Sequence, residues 1–131
     1  TFGLSSLLLA LAVALFAAQP VCAQTTWGTS GTGGSGIWNT SNLNWFNGTS
    51  DIAWPTSGTA TFAGTAGTVT ISGSIAAGGI DFLTTGYTIT GGTLDLVTSS
   101  GTAVPRISLG SGITATIGSV VTGTSGFTLT G

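Results

Sequence analysis

Charge is almost missing from this 131-residue chain: Asp51, Asp81, Asp95 and Arg106 are the only charged side chains. There is no His, no Lys, no Glu and no Met, and Cys22 is the one cysteine. Each absence excludes a class of function. A nucleic-acid surface needs clustered Lys or Arg to neutralise phosphates, and a single arginine cannot provide it. Catalytic triads built on an imidazole base and metal sites built on His or Cys have no material here, so neither an enzyme nor a bound cofactor is expected. A calcium site needs several oxygen ligands with carboxylates close together, and the Asp-bearing glycine-rich nonapeptides of calcium-binding β-rolls do not occur.

What remains is threonine, glycine and β-branched apolar residues. Threonine supplies 26 residues and glycine 23. Disordered chains are poor in β-branched and aromatic residues, whereas Thr, Val and Ile fit a pleated, half-buried surface. The composition therefore points to an all-β protein rather than a linker.

The first residues read differently. Residues 4 to 18, LSSLLLALAVALFAA, form an apolar run of good helix formers that is shorter than the ~20 residues needed to span a bilayer. Pro20 follows, and Val21 and Ala23 are the small residues expected three places and one place before a signal-peptidase cut. A signal peptide over 1–23 is expected, with a truncated start and cleavage between Ala23 and Gln24, which implies export machinery as a partner. A lipoprotein anchor at Cys22 fits poorly, because Gln19, Pro20 and Val21 do not make a lipobox. After cleavage the chain has no thiol, so packing and backbone hydrogen bonds must hold it.

From residue 59 to 131 short alternating segments are separated by Gly-rich turns: TATFAG, GTVTISG, GIDFLTTG, GYTITGG, GTLDLVTSSG, PRISLG, GITATIGSVVTG and GFTLTG. Ala60 and Phe62, Val69 and Ile71, Tyr87 and Ile89, and Leu94 and Leu96 share one face, with Thr on the other. The strand ends are 7 to 13 residues apart, too irregular for a fixed short repeat. Asn47-Gly48 is the one dipeptide favouring a tight hairpin. A β-solenoid, parallel β-helix-like, with Gly-rich corners is expected; an antiparallel β-sandwich or meander is the alternative.

The order TWGTSGTGGSGIWNTSNLNWFNGTSDIAWPTSGTATFAG, then GTVTISG, then GIDFLTTGYTITGGTLDL resembles the start of autotransporter-associated β-strand repeat proteins. The likeness covers Thr26 to Leu96 closely and Arg106 to Gly131 in style. It implies a β-helical passenger on the surface of a bacterial cell, attached to the outer membrane in members that carry a downstream β-barrel in the same chain. The pattern breaks off mid-repeat at GFTLTG, so the β-strand repeats are expected to continue.

Few residues stand out as site candidates. Asp81 and Asp95 each lie between inward apolar residues and are expected on solvated strand faces; a glycosidase pair would need them facing across a cleft. Asp51 is expected in a turn, and Arg106 at a solvent-facing strand edge. Thr-x-Thr recurs at residues 59, 68, 88, 114 and 128, but its irregular spacing argues against the registered array that ice binding would need. The strongest candidates are Trp27, Trp38, Trp45 and Trp54, with Asn39, Asn42, Asn44 and Asn47 among them. As a cap over residues 24–58 they would cover the open end of a solenoid's first rung. As a platform they would stack on sugar rings and make the chain a carbohydrate-binding module for a surface glycan or neighbouring cell. The cap is favoured, within an exported structural stalk or adhesin scaffold.

Overall fold

A computed structural model describes residues 24–99 and 104–131. The expected leader lies outside the described residues, as do Ala23 and Cys22. Fourteen short strands are described, with one 3-10 turn, Thr29–Gly31, and no α-helix among the described residues. The strands are β1 (Gln24–Trp27), β2 (Gly36–Trp38), β3 (Trp45–Phe46), β4 (Asp51–Ile52), β5 (Thr59–Phe62), β6 (Thr68–Ile71) and β7 (Ser74–Ala77). They continue as β8 (Gly79–Phe82), β9 (Tyr87–Thr90), β10 (Thr93–Leu96), β11 (Arg106–Leu109), β12 (Ala115–Ile117), β13 (Val120–Thr122) and β14 (Thr128–Thr130).

Three sheets share these strands in a fixed rotation. The first has the order β14-β11-β8-β5-β1-β3-β4, the second β12-β9-β6-β2 and the third β13-β10-β7. From β5 onward the chain visits first, second and third sheet in turn, three times, and starts a fourth round at β14. Pairing is parallel throughout except where β3 meets β1 and β4, which are antiparallel. Such parallel pairing, without helices, is what Gly-rich corners in place of hairpin turns allow.

The unit of repetition is the three-strand pass. Thr59, Gly79, Arg106 and Thr128 stand side by side in the first sheet, so successive passes use 20, 27 and 22 residues. The single segments look irregular because the connections absorb the variation while the strands stay in register. Two strands escape a reading by apolar alternation. SIAA at β7 carries two alanines, and β13 runs on from β12 with only Gly118 and Ser119 between them.

Inward side chains stack in columns along the passes. Ala60, Ile80 and Ile107 are adjacent in the first sheet, Val69 and Ile89 in the second, and Ile75 and Leu94 in the third; all are buried. Phe62 lies over Phe82 with ring centroids 5.2 Å apart and planes 21° apart, a stacked pair. Each buried side chain of this size contributes on the order of 1.5–3 kcal/mol relative to exposure.

The outer faces differ from expectation in three places. Asp81 is buried rather than solvated: it pairs with Arg106 at 3.2 Å, and Gln24 Nε2 approaches its Oδ2 at 3.5 Å. Gly79, next to Arg106 in the ladder, has no side chain to obstruct that reach. Arg106 faces solvent as expected, but β11 lies between β8 and β14 and is not an edge. Asp51 belongs to β4 rather than a turn, and its Oδ1 accepts a 2.7 Å bond from the Ser30 N–H. Asp95 is partly exposed and accepts from the Thr122 hydroxyl at 3.0 Å. Asp81 and Asp95 sit on different sheets, so no cleft brings them together.

The threonines, too, are more regular than their sequence spacing suggests. Thr68, Thr88 and Thr116 form one row across the second sheet, and Thr70 pairs with Thr90 in the next. Thr59 and Thr128 belong to the first sheet instead. The array is therefore registered, but short and split between faces.

Gly33 marks the tightest corner. Its φ is +81°, it bridges to Thr65, and a Cβ there would run into the carbonyls of Ala63 and Thr65 and the phenol oxygen of Tyr87. Gly34 has φ +98° but open space around it. Gly33→Ala is expected to cost about 3 kcal/mol or more, from backbone strain plus overlap, whereas Gly34→Ala costs about 1–2 kcal/mol from strain alone. Urea unfolding of the two variants checks the difference; equal midpoints would contradict this account of the corner.

Candidate functional site

The four tryptophans converge at the N-terminal end of the stack. Trp27 ends β1, Trp38 ends β2 in register with Ile71, and Trp45 opens β3 opposite Trp27. Trp54 follows the β3–β4 hairpin. All four are buried. Ring centroids lie 5.0 Å apart for Trp27–Trp45, 4.9 Å for Trp38–Trp45 and for Trp38–Trp54, and 4.5 Å for Trp45–Trp54. Phe62 of the next pass lies beneath, 5.7 to 6.1 Å from Trp27, Trp38 and Trp45. Most of these contacts are edge-on or tilted, the arrangement that aromatic quadrupoles favour.

Backbone hydrogen bonds fix this end as well. The Trp54 indole N–H donates to the Ala76 carbonyl at 2.8 Å, on the strand edge of β7 that has no sheet neighbour. The Trp27 indole donates to the Gly34 carbonyl at 2.8 Å. Asn44 Nδ2 donates to the Ile37 carbonyl of β2, the terminal strand of its sheet, at 2.9 Å. The indole nitrogens of Trp38 and Trp45 are buried with no hydrogen-bond partner. Trp54's bond to Ala76 has no signal in the sequence, because the partner strand is 22 residues away and was itself missed.

The asparagines serve the local backbone. Asn39 Oδ1 accepts from the Ser41 and Asn42 N–H groups at 3.0 and 2.7 Å. Asn47 Oδ1 accepts from Thr49 and Ser50, both at 2.9 Å, holding the turn between β3 and β4. These are turns in which a short amide side chain mimics the next peptide. Gln24, the residue after the expected cleavage point, opens β1 opposite Thr59.

No group of His, Cys, Asp or Glu that could hold a metal ion occurs among the described residues. One titratable group is buried in this region: the Tyr87 phenol, which donates toward the Ala63 carbonyl at 2.6 Å and the Thr65 carbonyl at 2.8 Å. Burial raises its pKa above the ordinary value near 10, partly opposed by a backbone bond to Gly34. The cluster offers apolar surface and backbone donors, with no nucleophile and no acid–base pair.

The chain is 42% identical, over 137 aligned residues, to the adhesin BmaC autotransporter of Brucella suis biovar 1 (strain 1330), and the match takes in 96% of this chain. This is a segment of the autotransporter-passenger kind. The chain spans about 4% of that relative's length. No family model matches the chain, and no solved structure does.

Tyr87 gives a clean test of how this segment is held, because it is the only tyrosine. Below the ordinary phenol pKa both folded and unfolded chains are protonated and its stabilising effect is complete. As pH rises through that value the unfolded chain ionises first, and stability is lost until the folded pKa is passed. The melting temperature is therefore expected to drop above about pH 10, while Tyr87→Phe removes this component and lowers stability at neutral pH by about 1 kcal/mol. An identical alkaline profile for both chains would show that the phenol is not the group responsible.

Proposed function

We propose that this chain is part of an exported, non-enzymatic passenger on a bacterial cell surface, with three rotating sheets wound as a β-solenoid. Residues 24–58 form the cap of that solenoid. The likeness to an autotransporter adhesin along nearly the whole chain carries this reading. The fixed passage from sheet to sheet supports the solenoid, and buried tryptophans beside the strand edges of β2 and β7 support the cap.

Within that reading a structural stalk or adhesin scaffold fits the surface. Threonine, serine and glycine dominate the outer faces, and the four tryptophans are turned inward. Export through the leader and attachment by a downstream outer-membrane β-barrel of the same polypeptide complete the proposal. Carbohydrate binding by the same tryptophans is the poorer reading, because no buried indole offers a ring face to a pyranose and Asn39, Asn44 and Asn47 already bond to the backbone.

Two measurements test this. Trp45→Ala is expected to destabilise the chain by about 3–5 kcal/mol with no ligand present; loss of polysaccharide binding with an unchanged melting curve would instead establish the platform. On intact cells producing the full-length protein, an antibody raised against residues 24–131 is expected to label the surface, and labelling only after the cells are permeabilised would refute surface display.

A further inference from the structure

Asn47 and Gly48 open the turn between β3 and β4 with more chemistry than holding a turn requires. An asparagine's side-chain carbonyl carbon lies within reach of the backbone nitrogen of the next residue, and attack by that nitrogen closes a five-membered ring. Crowding at the nitrogen decides how readily it attacks. The chain's four asparagines are Asn39, Asn42, Asn44 and Asn47, and they are followed by Thr40, Leu43, Trp45 and Gly48. Only Gly48 brings no Cβ to the attacking side. Residues 47 to 50 are all exposed, and a Cβ built on Gly48 would meet nothing within 4 Å. The Gly48 N–H donates no hydrogen bond to any described residue. The nucleophile is therefore unengaged and open to solvent base.

The carbon it would attack is prepared as well. Asn47 Oδ1 accepts from the Thr49 and Ser50 N–H groups, both at 2.9 Å. These bonds fold the side chain back over the Gly48 peptide. They also aim two donors at the oxygen on which negative charge develops when Cγ becomes tetrahedral, the arrangement that stabilises an oxyanion. Asn39 has the same two-donor turn, with bonds of 3.0 and 2.7 Å from Ser41 and Asn42, but the β-branched Thr40 follows it and the residue is half-buried. Asn44 has a bulky follower, and its Nδ2 is held by the Ile37 carbonyl. Only Asn47 combines an open nucleophile with a polarised amide.

We propose that Asn47 is a site of spontaneous covalent modification, at which the folded chain converts its own amide to a carboxylate through a succinimide. Solvent base removes the Gly48 amide proton, the nitrogen bonds to Asn47 Cγ, the Cγ–Nδ2 bond breaks, and ammonia leaves with a proton taken from water. Water then opens the ring. Addition at Cγ gives an aspartate at position 47, and addition at the main-chain carbonyl gives an isoaspartate. In sum one amide and one water become a carboxylate and an ammonium ion, with no change of oxidation state. Loss of ammonia makes the step irreversible, so the fraction converted records the age of a molecule. Either product adds a negative charge close to Asp51 in a chain that has few charges. Isoaspartate also lengthens the backbone of the hairpin that sets the buried Trp45 opposite Ile52. This inference does not depend on the adhesin reading.

The full-length protein, held folded in mildly alkaline buffer and sampled over time, tests it. Samples are digested with pepsin in acid, where the reaction is slow, and read by mass spectrometry, with isoaspartate identified by enzymatic methylation. Asn47 is expected to convert at least about tenfold faster than Asn39, Asn42 or Asn44, a barrier difference of about 1.4 kcal/mol. The rate is expected to rise with hydroxide concentration. Because an Asn-Gly pair also reacts in an open chain, the same protein unfolded in urea is the second arm, and the folded protein is expected to convert at Asn47 no more slowly. Thr40→Gly supplies the open nucleophile that Asn39 lacks and is expected to raise conversion there about tenfold, with the circular dichroism unchanged. An intact Asn47 in the folded protein, conversion confined to the urea-unfolded protein, or an Asn39 no faster in the Thr40→Gly protein would each overturn the proposal.

Discussion

Stacking of inward side chains from one pass onto the next is the constraint from which the rest of this structure follows. No strand here exceeds four residues, and none can bury its apolar face alone. Each is covered by the strand before and after it in the same sheet, through parallel backbone bonds and a column of like side chains. That arrangement tolerates connections of very different length, since only register within the sheets must be kept.

Next to the first of these passes the inward columns meet a different kind of residue. An indole buries roughly 150–250 Å², so four packed together supply more apolar contact than aliphatic side chains in strands this short. Their polar nitrogens divide in two. Trp27 and Trp54 donate theirs to backbone carbonyls, while those of Trp38 and Trp45 are buried with no hydrogen-bond partner. The surrounding asparagines hold the turns that deliver these indoles. A surface motif and a buried one can thus share the same residue types, and it is the hydrogen-bond partners that tell them apart.

Scarcity of charge shapes the remainder. The one ion pair among the described residues, Asp81 with Arg106, ties two adjacent passes on the outer face of the first sheet. Asp81 is buried but the Arg106 side chain is more than half exposed, and solvent around the guanidinium weakens the attraction, so the pair adds little beside the stacked core. Its burial was not legible in the sequence. GIDF reads as a strand with one outward acid, and only the neighbouring strand reveals that the outward position is roofed by an arginine arriving 25 residues later. The alternation that marks inward residues was legible throughout β5, β6, β9 and β10. It failed at β7, where alanines blur the contrast, and between β12 and β13, where two small residues make a corner.

The sequence by itself determined the β class, the inward faces of most strands and the exclusion of charge-based chemistry. These depend on side-chain type and on a period of two, both local properties. It also singled out the four tryptophans. Only the tertiary structure decided which strands share a sheet, because that depends on how far each connection carries the chain before the next strand is laid down. The same long-range stacking decided that the threonine rows align despite uneven spacing, and that Trp27, Trp38 and Trp45 lie against a single phenylalanine from the following pass. A local pattern says which way a side chain points; what it meets there is set by chain that arrives from 20 or more residues away.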